Sequence, residues 1–114
     1  MDQIDVQVEQ DPRGLIARVS GKAGVDQIEE LDRQLHLLTA LAPKFVVLDL
    51  SNVAYVSSMG IGSLLRFRND VTQAGGKVVV ASPQPTVATV LRMGKIDRVL
   101  PIFNSVDAAF KPTA

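Results

Sequence analysis

The sequence predicts an α/β domain with a mixed, mostly parallel sheet of about five strands flanked by about four helices. Three observations predict it. Short apolar runs of strand formers alternate with segments whose apolar residues recur at three- and four-residue steps. After an initial pair of strands, each further strand is reached through a helical segment, which implies right-handed crossovers and parallel pairing. Hydrophobic residues make up 46% of the 114 positions and charged ones 21%, so a packed core is within reach and disorder is not expected.

The elements follow in order. Ile4, Val6 and Val8 alternate with Asp5, Gln7 and Glu9, the period of a half-buried strand. Asp11-Pro12-Arg13-Gly14 supplies turn chemistry, and Leu15 to Val19 returns as a second strand ending near Gly21, giving a hairpin. Ile28, Leu31, Leu35 and Leu38 mark one face of a helix that Asp26 and Glu29 would open as a capping box and Pro43 would close. Phe45 to Leu50 is a continuous apolar run, as expected of a strand covered on both faces, with a loop after it. Leu64, Phe67, Val71 and Ala74 form the next stripe, ended by Gly75-Gly76. Lys77 to Ala81 is another buried strand. Pro85 opens a third helix through Val87, Val90 and Leu91, stopped near Gly94. Val99 to Ile102 reads as an edge strand, because Pro101 lacks a ladder donor. Ser105 caps a terminal helix bearing Val106, Ala109 and Phe110. Without repeat or internal linker, residues 1–114 are expected to form one domain.

Composition narrows function. Lys plus Arg and Asp plus Glu balance at twelve each, so no basic excess exists to neutralise phosphates, which argues against nucleic acid as a ligand. With no cysteine, thiolate chemistry and disulfides are excluded. The acidic start, Met1-Asp2-Gln3-Ile4-Asp5, lacks the order of a signal peptide, and no apolar run approaches the roughly 20 residues of a membrane helix. A cytoplasmic protein without membrane insertion is the expectation. His36 is the sole histidine, a poor metal ligand or triad member on its own. Gly75-Gly76-Lys77 lacks the pattern of a phosphate loop. Neither catalytic residues nor metal or cofactor sites are expected.

Val46-Val47-Leu48-Asp49-Leu50-Ser51-Asn52-Val53 leads into Tyr55-Val56-Ser57-Ser58-Met59-Gly60-Ile61-Gly62. Together with Gly75 to Val80 and Val87 to Gly94, in this order and spacing, the chain resembles the STAS family from Ile4 to Phe110. The resemblance implies a protein similar to anti-sigma factor antagonists. Such proteins bind a serine-kinase-type anti-sigma factor when unphosphorylated, are phosphorylated by it at the start of the second helix, and are reset by a phosphatase. It marks Asp49, Ser57, Ser58, Met59, Gly60, Ile61, Gly62 and Arg66 as partner-binding candidates; a homodimer is left open. Family antagonists usually read Asp-Ser-Ser/Thr-Gly-hydrophobic-Gly, whereas Met59 here stands directly before the first glycine and Ser57 where the Asp would be. Met cannot accept a phosphoryl group. Ser58 is then the first phosphorylation candidate and Ser57 the second, unless both serve only as helix caps. Asp49 would brace the Ser57–Ser58 loop or touch the partner. Met59 and Met93 would be core residues or, if exposed, adaptable apolar contacts. A second reading, suited to Met59, is a STAS subunit that buttresses the ATPase of a lipid-trafficking ABC transporter.

Overall fold

The computed structural model describes residues 3–111, and the parts of the expected domain and of the acidic start that fall on residues 1–2 and 112–114 lie outside it. Five strands form one sheet in sequence order: β1 (Ile4–Asp11), β2 (Gly14–Ala23), β3 (Phe45–Val56), β4 (Lys77–Ala81) and β5 (Ile102–Phe103). The β1–β2 hairpin is antiparallel and every other pair is parallel. The helices are α1 (Ile28–Thr39), α2 (Ser58–Gln73), α3 (Pro85–Met93) and α4 (Val106–Phe110). Both the strand and the helix count agree with the sequence expectation.

The helices divide between the two faces of the sheet. The apolar stripes of α1 to α3 pack with Ala17, Val46, Leu48, Val78 and Val80 into the main core. On the opposite face Val47, Val79 and Ala81 meet Ala109 of α4, flanked by Phe45, Phe103 and Phe110. The first half of β3, residues 46–50, lies between β2 and β4 and is buried on both faces, which explains its run of apolar residues interrupted only by Asp49. Gly75 takes a φ of +91° just beyond α2, the left-handed conformation that lets the chain leave the helix without a Cβ clash.

Four expectations need correction. β3 continues six residues past Leu50, through the segment read as a loop. Two register shifts against β2, between Arg18/Ser20 and Gly21/Lys22, put extra residues into β3, so its inward positions after Leu50 are Val53 and Val56. A spacing of three hides a strand from a search for period two. The capping box at Asp26 does not form: the chain leaves β2 at Ala23 and turns at once through a 3-10 turn, Val25–Gln27. There the Gln27 side chain accepts from the Gly24 N–H at 3.2 Å. β5 begins at Ile102 rather than Val99, because a 3-10 turn over Ile96–Arg98 carries Leu100 into the core first. Pro101 still contributes its carbonyl, accepting from the Val80 N–H at 2.8 Å. Finally, Val90 and Ala74 lie outside the core stripes assigned to them.

Candidate functional site

The carboxyl ends of β2 and β3 meet the amino end of α2. In open α/β sheets this is where ligands are held. Ser57 organises the junction. Its N–H continues the strand pairing by donating to the Ala23 carbonyl at 2.9 Å, and its Oγ–H donates to the same oxygen at 2.9 Å. The Oγ in turn accepts from the Gly60 N–H at 3.0 Å, the contact that defines a helix N-cap. Ser57 is buried, with both roles of its hydroxyl taken.

Ser58, one residue later, is the first residue of α2 and is exposed. Its neighbours on the helix are distinguished by space. A Cβ on Gly60 would come within 2.7 Å of the Ala23 carbonyl and 3.0 Å of Val56 Cγ1, so α2 can approach β2 only because residue 60 has no side chain. A Cβ on Gly62 would meet only the Arg66 guanidinium, at 3.4 Å. Gly60 is therefore a packing glycine; Gly62, half-buried, leaves helix backbone near the surface. Ile61 is half-buried against the main core. Met59 is 51% exposed and Met93 79%, which removes both from the core.

Two predicted residues stand apart from the junction. Asp49 is not at a strand end, because β3 runs on for seven more residues. Its carboxylate accepts from Arg18 at 2.7 Å and from the Ser51 N–H at 3.0 Å, and Arg18 also reaches Glu9 at 3.1 Å. These contacts do not brace the Ser57–Ser58 turn. They hold β1, β2 and β3 together on the sheet face away from α1 and α2. Arg66 lies exposed on α2 and is bound to Asp32 of α1 at 3.0 Å and to Ser63 at 3.2 Å, in a groove of about 400 Å³ between the two helices. His36 lines the same groove.

Sequence reasoning missed an apolar shelf around Tyr55, three residues before Ser58. Tyr55 is 53% exposed because the second register shift turns it outward. It shares one cavity with Val25 and another with Thr86 and Val90, so it lies between the 3-10 turn before α1 and helix α3. Val25 is 64% exposed, and Val90 and Met93 extend the apolar surface along α3. The available signal was the width of the apolar arc on α3. Val87 and Leu91 already supply a core stripe, which leaves Val90 and Met93 without a core position.

No helix among the described residues is long and apolar enough to cross a membrane, and among them no cluster of three or more His, Asp or Glu could hold a metal. Fold and junction together define a class: small α/β domains with three helices on one sheet face and a polar-capped helix start at the sheet's carboxyl edge. Residues 4–109 match the STAS domain family, and the chain belongs to it. BtrV of Bordetella bronchiseptica, assigned as an anti-sigma factor antagonist, is 30% identical over 83% of this chain and 82% of that one. The anti-sigma F factor antagonist of Paenibacillus polymyxa is 26% identical over 92% of each. The crystal structure of an anti-sigma factor antagonist from Mycobacterium paratuberculosis superposes with a TM-score of 0.85 at 23% identity, over 95% of this chain and 92% of that one.

Proposed function

We propose that this protein is an anti-sigma factor antagonist, a cytoplasmic and non-catalytic regulator that docks on a serine-kinase-type anti-sigma factor and is switched by phosphorylation of Ser58. The observation that carries the reading is the division of labour at the helix start. Ser57 is buried in the cap, whereas Ser58 is exposed, three residues beyond the exposed Tyr55. The names of the two sequence relatives support it.

The chemistry suits the place. In the transfer, Ser58 Oγ attacks the γ-phosphorus of the kinase's ATP, its proton passes to a base of the kinase, and the bond to the β–γ bridging oxygen breaks to release ADP. The product carries a charge of about −1.5 to −2. The amino end of α2 tolerates that charge, through its free amides and dipole. A partner packed on the apolar shelf does not, since it would have to desolvate the phosphate. Docking is thus lost with little change of fold, and a phosphatase restores it.

Met59 in the family's usual acceptor position favours a second reading, a STAS subunit bound constitutively to a transporter ATPase. One experiment separates them. The protein is incubated with its genome's kinase-type anti-sigma factor and ATP, and the peptide containing Ser57 and Ser58 is analysed by mass spectrometry. Stable complex formation in ADP, phosphate on Ser58, and no phosphate on a Ser58→Ala protein are expected. Absence of both complex and modification would overturn the switching reading, and co-purification with permease and ATPase subunits would establish the alternative.

A further inference from the structure

β1 is an outer strand of eight residues, and an outer strand exposes the N–H and C=O of every second residue to any strand that can pair with it. On β1 the outward groups are those of Ile4, Val6, Val8 and Gln10. Two of them are already taken, by a side chain. Gln34 of α1 accepts from the Val6 N–H through Oε1 at 2.6 Å and donates from Nε2 to the Ile4 carbonyl at 3.2 Å. This is the pair of bonds that a neighbouring strand's backbone would make. The amide is itself held in place, because Nε2 also donates to Glu30 at 2.6 Å and Glu30 is gripped by Arg33.

We infer that Gln34 acts as a surrogate strand that closes the edge of β1 against a second copy of this chain and keeps the protein monomeric. The second copy is the occupant that the strand's own pattern fits. Antiparallel pairing about Gln7 would set Val6 against Val8 and Ile4 against Gln10, using the outward groups of all four residues. With the Ile4 carbonyl and the Val6 N–H occupied by Gln34, each of those pairs loses one of its two hydrogen bonds. The same register would bring Asp5 against Glu9, and that like-charge contact opposes pairing as well. Val8, farther along the same strand, is exposed. This inference is independent of the proposed regulatory role.

Gln34→Leu removes the amide and leaves a shorter apolar side chain, and Asp5→Asn removes the charge. The test compares the wild-type protein with Gln34→Leu and with Gln34→Leu/Asp5→Asn by sedimentation velocity and by amide hydrogen exchange at Val6. A monomeric wild type with a protected Val6 amide is expected. In dilute Gln34→Leu that amide should exchange about tenfold faster, the cost of roughly one hydrogen bond. The double variant should dimerise as concentration rises, with Val6 protected again in the dimer. Glu30→Gln, which loosens the hold on the Gln34 amide and leaves residue 34 and β1 unsubstituted, should raise Val6 exchange to a smaller degree and serves where Gln34→Leu fails to fold. A wild type already paired through β1, an unchanged Val6 exchange rate in the variants, or a double variant that stays monomeric at high concentration would each overturn the inference.

Discussion

Two adjacent serines at the start of α2 have opposite surroundings, and single substitutions should separate them. Ser57→Ala deletes the cap to Gly60 and the bond to Ala23, at a cost of about 1–2 kcal/mol in urea unfolding. Ser58→Ala, at an exposed first helical position, should stay within about 0.5 kcal/mol of wild type. Equal losses would mean that both hydroxyls are structural. The two glycines divide in the same way. Gly60→Ala must push Ala23 backbone aside and should destabilise by about 1–3 kcal/mol. Gly62→Ala has only the movable end of Arg66 to displace and should stabilise by about 0.5–1 kcal/mol through helix propensity. At this scale the sequence showed which residues meet at the helix start, but not how they share the work. Serine is both a good cap and a phosphate acceptor, so its role turns on whether the Ala23 carbonyl is in reach, and that depends on the end of β2, 34 residues earlier.

Ion pairs join the elements at the hairpin and along α1, and they set an acid limit. The Arg33 guanidinium, and then the Gln34 amide, hold Glu30 down to about 2 from an ordinary 4.5. Hydrogen bonds from Arg13 do the same for Asp11, down to about 2 from 3.8. Because both values are depressed in the folded protein, the stability they contribute is present above the ordinary carboxylate range and is lost as pH falls through it toward about 2. The urea midpoint should therefore be flat above about pH 5, fall between about 4.5 and 2, and fall less steeply in Glu30→Gln/Asp11→Asn. Added salt should shrink the difference, since both pairs lie in solvent. An unchanged slope in the double variant would assign the acid transition to other groups. Elements were most legible where period and burial coincide, as in α1, whose four predicted positions are all buried. They were least legible in the second half of β3, where the register shifts replace period two by steps of three at Leu50, Val53 and Val56. The same shifts expose Tyr55, so the shelf stayed hidden for the reason the strand did.

Across the whole molecule the two ends of the sheet differ in what they offer. The carboxyl end carries Ser58 at the start of α2 and the exposed Tyr55, Val25 and Val90, while at the amino end Arg13 is tied to Asp11, Asp107 and the ring of Phe110. Exposed Leu41, in the turn that enters β3, belongs to that second end. A partner docking on the first end should depend on Tyr55 as a buried aromatic anchor, worth about 2 kcal/mol or more, and should be indifferent to Leu41. The most direct measurement is a calorimetric titration of the genome's kinase-type anti-sigma factor, in ADP, with the wild-type protein and with Tyr55→Ser and Leu41→Ser. Tyr55→Ser should bind at least about 30-fold more weakly and Leu41→Ser should bind as wild type. Undiminished binding by a folded Tyr55→Ser protein, or a greater loss in Leu41→Ser, would contradict docking on the first end.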